Sequence, residues 1–136
     1  MANTLFNVAR RQFLEAQINW DQDTMRCALI KTANYTFAAT DVSLADVPAN
    51  ARLTAGQLMT TSVTTDGAAD AQDVTFAAVP SGNQVGAILI YKDVDGSDAN
   101  ARLIAWLDTA TGLPITTNGG DIIVTWDNGV NRIFRL

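Results

Sequence analysis

The chain has 136 residues, 48% hydrophobic and 17% charged, with a formal net charge of −5. That is enough for one domain with a sizeable core under a lightly charged surface. The acidic balance argues against direct nucleic-acid binding, the single cysteine rules out an intrachain disulfide, and no eighteen-residue apolar run exists to span a membrane.

Thirteen of the fourteen acidic residues are Asp, a turn and cap residue, and Arg10-Arg11 is the only adjacent basic pair. The opening MANTLFNVARRQF lacks the pattern of a signal peptide, so synthesis and folding in a cytoplasm are expected. A surface rich in Thr, Asn, Gln, Ser and Ala suits a protein packed against neighbours.

In chain order, residues 4–17 read as a helix. Asn3 or Thr4 is the expected cap, and Leu5, Ala9, Phe13 and Ala16 form an apolar stripe widened by Phe6 and Leu14. Arg11 and Glu15 stand at the i,i+4 spacing of a surface ion pair. The stripe can pack on its own domain or dock on another subunit. Residues 19–23 form a turn cluster around Trp20. Thr24–Lys31 then reads as a strand, with Met25, Cys27 and Leu29 on one face and Arg26, Ala28 and Ile30 on the other.

Residues 32–56 have weak periodicity and read as a long excursion anchored by Tyr35 and Phe37. A short helical turn is expected over 43–47, before Pro48. From there the pattern is β. Residues 51–65 read as one long strand or a bent pair broken at Gly56. Asp66-Gly67 is a turn, Asp73–Val79 alternates, and residues 80–83 turn again. Val85–Asp93 is a nearly unbroken apolar run, expected as a central strand buried on both faces. Asp95-Gly96 marks a turn before the apolar strand Arg102–Asp108, and a loop over 111–120 follows. Asp121–Leu136 reads as a hairpin around Asn128-Gly129, the signal of a type I′ turn, with the end of the chain pinned in a sheet. The expected fold is one mainly β domain over 1–136, an antiparallel β-sandwich or jelly-roll-like body with one N-terminal helix. Residues 1–20 hold the helix and turn, and residues 21–136 hold the sandwich.

The chemistry on offer is sparse. With no histidine, the commonest general base and transition-metal ligand are missing. Cys27, without a histidine partner, reads as a small buried apolar residue. Asp93, Asp95 and Asp98 flank Gly96 in an alternation that can cage calcium, but the Glu of a full EF-hand pattern is absent, so these read as turn residues. Asp is plentiful enough for paired-carboxylate hydrolysis, yet nothing singles out two of them. Trp20, Trp106 and Trp126 could line a sugar site, although Trp106 and Trp126 fall inside strand patterns that favour core packing. An exposed Trp20 or Tyr35 would serve a carbohydrate-binding module. No catalytic, cofactor-binding or metal-ligating residue is assigned, and the chain is not expected to be an enzyme.

Several stretches nevertheless match a known family. The opening MANTLFNVARRQFLEAQINWDQDTMRCALI, the strands ADAQDVTF and AILIYKD, and the closing LIAWLDTATGLPITTNGGDIIVTWDNGVNRIF resemble a small virion structural protein of tailed bacteriophages. The match is weakest over about 33–70. Within that family a small β-rich protein without enzymatic residues is most similar to a capsid cement, or decoration, protein. The resemblance implies binding to the major capsid protein on the outer head shell, as a dimer or trimer, with no cofactor, nucleic acid or membrane. A tail or tail-tip component is the alternative within the family. The parts expected to project and make contacts are the 1–20 helix and the 32–56 excursion.

Overall fold

The computed structural model describes residues 3–136. Met1 and Ala2, within the expected helix-and-turn segment, lie outside the described residues. The expected class is what the chain adopts: mainly β, with antiparallel ladders and one N-terminal helix in a sandwich-like arrangement.

Three long strands organise it: β2 (Thr24–Ile30), β8 (Ala87–Asp93) and β9 (Arg102–Leu107). Two short strands, β1 (Thr4–Leu5) and β3 (Gln57–Leu58), complete a five-stranded sheet of order β1-β9-β8-β2-β3. The apolar run at 87–91 is central and buried on both faces, as its composition predicts. Between β8 and β9 the register steps from Ile90↔Ala105 to Tyr91↔Leu103, leaving Ile104 as the extra residue of a bulge. Ile104 and Ala105 therefore turn to the same side of the sheet, and the Ile104 carbonyl accepts a bond from Phe6 N.

One face of this sheet presents Met25, Cys27, Leu29, Ile88 and Ile90 to a second layer of short ladders. These join β4 (Thr61–Val63), β5 (Ala68–Ala71) and β12 (Phe134–Arg135); β6 (Val74–Phe76) and β11 (Ile122–Val124); and β7 (Gln84–Val85) and β10 (Ile115–Thr116). The Asp66-Gly67 turn closes β4 onto β5, with Gly67 at φ 87°. Gly96 at φ 82° lies in the turn joining β8 to β9.

The other face presents Ala28, Ile30, Leu89, Tyr91, Leu103 and Trp106, and the 32–56 excursion lies over it. Tyr35, Leu44, Val47 and Ala51 are buried against the sheet. Tyr35 and Phe37 stand 5.5 and 5.6 Å from the Trp106 ring. The excursion is thus a covering layer and not a projecting arm. A sheet apolar on both sides needs a second cover, and four apolar anchors over seventeen residues supply it. The expected helical turn forms as a 3₁₀ turn over Leu44–Asp46, where the Asp46 carboxylate accepts from the N–H groups of Val42 and Ser43.

Three expectations need correction. The helix α1 runs only Asn7–Leu14 and starts at Phe6 without a side-chain cap. Thr4 and Leu5 pair with β9 instead, because the open edge of β9 satisfies their backbone groups. Asn3 Oδ1 does not cap the helix but accepts from Asp108 N, Thr109 N and the Thr109 hydroxyl, tying the chain start to the end of β9. The buried helix face is Val8 and Ala9, with Phe13 half-buried; Ala16, at φ 57°, lies past the helix and is exposed, as is Leu14. The helix therefore packs on its own chain, and the Arg11–Glu15 pair forms at 3.3 Å on its outside.

Residues 51–65 are not one strand. They hold the end of a 3₁₀ turn, Ala49–Ala51, and then β3 and β4 beyond a break at Gly56. A Cβ on Gly56 would collide with the Tyr91 hydroxyl, so the close approach of this backbone to the sheet requires glycine.

The terminal hairpin does not form. β11 pairs with Val74–Phe76, and β12 pairs with Ala68–Ala69. Asn128 and Gly129 do not take the positive φ of a type I′ turn; Arg132, at φ 46°, does so instead. Long-range contacts win. The Trp126 indole donates to the Gln72 carbonyl at 2.9 Å, and Phe134 packs edge-on against Trp20 at 5.2 Å. Each end of the segment is held by a different neighbour.

Candidate functional site

Of the residues singled out from sequence, Asp93 and Asp98 come to one concavity, and the others do not converge with them. Cys27 is fully buried on β2, and burial pushes its thiol up to about 12. A thiolate at neutral pH is ruled out by desolvation alone. Trp106 and Trp126 are core, as expected, although only Trp106 lies in a strand; Trp126 follows the end of β11. Trp20 and Tyr35 are also buried, which corrects the expectation of exposed aromatics for a sugar. Their polar atoms are engaged: the Trp20 indole donates to the carbonyls of Ser62 and Asp70, and the Tyr35 hydroxyl donates to Asp41 Oδ2 at 2.7 Å. Burial, and this bond to a carboxylate, push the Tyr35 phenol up, so it stays protonated.

The three aspartates near Gly96 are spread among separate partners. Asp93 accepts from Arg26 at 2.8 Å and from Gly96 N at 3.0 Å. Those bonds hold its carboxyl below the usual range. Asp95 accepts from Ser97 N and the Asn100 amide, and it is lowered for that reason. Asp98 pairs with Arg52 at 2.9 Å. Turn and anchor roles account for all three. Among the described residues no group of three or more His, Cys, Asp or Glu is placed to hold a metal ion.

Accepted hydrogen bonds hold the carboxyls of Asp46, Asp66, Asp93 and Asp95 below the usual range. A glycosidase acid needs the opposite, a carboxyl kept protonated by its surroundings. These carboxylates are poised to accept hydrogen bonds and not to deliver protons.

The polar centre that sequence reasoning missed lies where the excursion returns to the sheet. Two adjoining concavities, of about 390 and 290 Å³, share Ala55, Gly56, Tyr91 and Asp98. Arg26 and Arg52 form their ion pairs here, and Arg26 also donates to the Gly56 carbonyl at 3.2 Å. Residues 54–56 loop away from β2 between the Ile30↔Arg52 bridge and the Cys27↔Gln57 pair, which opens the space. With each arginine matched by one aspartate, the groove is charge-balanced. Arg26–Asp93 joins β2 to β8 within the sheet, while Arg52–Asp98 and the Arg26 bond to the Gly56 carbonyl latch the covering layer to it. In the sequence, Gly56 stands out as a break and Asp93 and Asp98 as turn residues, but nothing local pairs them with Arg26 and Arg52.

The outer surface of the covering layer is mostly small and polar, with Thr32, Asn34, Thr36, Thr40, Pro48 and Asn50 exposed there, together with the Asp46 carboxylate and Val42. The exposed side of α1 carries Arg10, Arg11 and Leu14, the last 89% exposed. Among the described residues no helix is long and apolar enough to cross a membrane. No protein-family model matches the chain, and no curated protein matches it either.

Proposed function

We propose that this chain is a virion structural protein of a tailed bacteriophage, acting as a capsid cement protein that binds the major capsid protein on the outside of the head. The observation that carries the reading is the resemblance of the closing block, LIAWLDTATGLPITTNGGDIIVTWDNGVNRIF, with the matching opening stretch. The physical character of the molecule supports it. A clamp needs a rigid body and exposed surface, not a perturbed titratable group, and weak contacts repeated around a shell add up through avidity. The central sheet is covered on both faces, which gives such a clamp its rigid body. In this reading the protein works as a dimer or trimer, with contacts drawn from the outer side of α1 and the surface of the covering layer. No enzymatic step, cofactor or nucleic acid takes part.

Separated heads and tails of the particle, analysed by mass spectrometry, provide the test. The expected result is the protein in the head fraction at one or more copies per capsomer, and heads lacking it that release DNA on mild heating or in low-salt chelator. Recovery in the tail fraction alone would overturn the cement role in favour of a tail component.

A further inference from the structure

Asn128-Gly129 does not serve as a hairpin turn, yet it sits in a defined chemical setting. Both residues are exposed and line a surface concavity of about 420 Å³ with Thr64, Asp66, Val130 and Arg132. Arg132 Nη1 donates to Asn128 Oδ1 at 3.2 Å. The backbone N–H of Gly129 donates to Asp127 Oδ1 at 3.0 Å. The asparagine carbonyl is thus polarised by a cation, while the following nitrogen is bonded to a carboxylate.

We infer that Asn128 is a self-modification site, at which the chain converts this asparagine to aspartate and isoaspartate through a cyclic imide. The Gly129 nitrogen loses its proton toward Asp127 and attacks Cγ of Asn128, forming a new N–Cγ bond. Negative charge develops on Oδ1, where Arg132 donates, as an oxyanion is held elsewhere by placed donors. The intermediate collapses, and Nδ2 leaves with the proton as ammonia. The product is a five-membered succinimide. Water then adds to one of its two carbonyls. Opening the N–Cγ bond gives aspartate; opening the bond to the main-chain carbonyl gives isoaspartate. The sum is asparagine plus water giving acid plus ammonia. Glycine at 129 leaves the nitrogen unshielded by a side chain.

The chain contains its own comparison. Asn118-Gly119 is also an exposed Asn-Gly pair, but Asn118 Oδ1 accepts from the Gly120 N–H at 2.9 Å, a neutral donor. Conversion therefore favours Asn128 in the folded state. The new carboxylate would stand beside Arg132, which holds Asp70 only loosely at 3.9 Å, and would compete for that guanidinium. Isoaspartate would also lengthen the main chain just before β12.

The test incubates the full-length protein at neutral to mildly alkaline pH, native and in denaturant, followed by peptide mapping and isoaspartate-specific methylation. Native protein is expected to lose Asn128 severalfold faster than Asn118, and the gap closes in denaturant. R132Q slows loss at Asn128 by roughly threefold to tenfold and leaves Asn118 unchanged; full removal of a buried donor would cost about 100-fold or more, but this site is open to water. D127N also slows Asn128. R132K, which keeps the charge, retains most of the rate. Equal native rates at the two sites, no conversion at Asn128, or an R132Q or D127N variant as fast as the parent would overturn the proposal. Far-UV circular dichroism of each variant excludes unfolding as the cause of a change.

Discussion

At the residue scale the side chains with distinctive chemistry are mostly enclosed. Cys27 illustrates it: a thiol held near 12 is not a nucleophile until the fold opens. A thiol reagent is therefore expected to leave folded protein unlabelled over hours and to label it completely in denaturant. Because the folded value is raised, the buried thiol contributes its full stability below the ordinary value of about 8.5, and loses it as pH rises toward 12. Asp93 has the opposite sign. Arg26 and Gly96 N depress its folded value, so its contribution is present above the ordinary value of about 3.9 and is lost as pH falls through the folded one. Comparison of urea midpoints at neutral and acid pH is expected to show a smaller acid loss in Asp93→Asn than in the parent. An equal loss would mean that the Arg26–Asp93 pair adds nothing.

Elements follow local pattern only where no better partner competes. The apolar stripe at the N-terminus placed Phe13 and Leu14 together, but adjacent helical residues point about 100° apart, and only Phe13 meets the body. Phe13 packs 5.7 Å from Phe134, and Leu14 faces solvent. Phe13→Ala is expected to cost roughly 1–3 kcal/mol in chemical denaturation, and Leu14→Ala less than about 0.5 kcal/mol. The second element-scale case is the terminal segment. If Asn128-Gly129 made a type I′ turn, replacing both by alanine would cost about 1–2 kcal/mol for each residue forced to positive φ. Since neither takes that conformation, the double substitution is expected to cost less than about 1 kcal/mol in all. A larger loss of midpoint would bring the hairpin back.

For the molecule as a whole, the decisive feature is a central sheet buried on both faces. One cover is the layer of short ladders; the other is the 32–56 excursion with its latch at Arg26, Arg52 and Tyr91. Replacing residues 33–50 with a Gly/Ser linker would uncover Leu89, Leu103 and Trp106, all buried in the native chain. Loss of cooperative unfolding and strong binding of a hydrophobic dye are the expected readouts, because that much apolar surface is not tolerated in water. A projecting arm, by contrast, could be removed without unfolding the body. The same point bears on the proposed cement role. Contacts on the excursion would be made by its outer side, on a layer the fold already needs.

Read alone, the sequence determined the class and the main strands. Met25, Cys27 and Leu29 alternate with Ala28 and Ile30, and the 87–91 run is apolar throughout, so period and composition suffice to predict a central strand. It also determined the turns at Asp66-Gly67 and Asp95-Gly96, where glycine supplies the positive φ. Only the tertiary structure decided which strands pair with which. Thr4 and Leu5 left the helix for the edge of β9, and Phe134 left the local hairpin for β5 and Trp20. The excursion became a second cover. Each outcome depends on backbone edges and apolar faces contributed by segments distant in sequence, and a local pattern carries no information about what those distant partners offer.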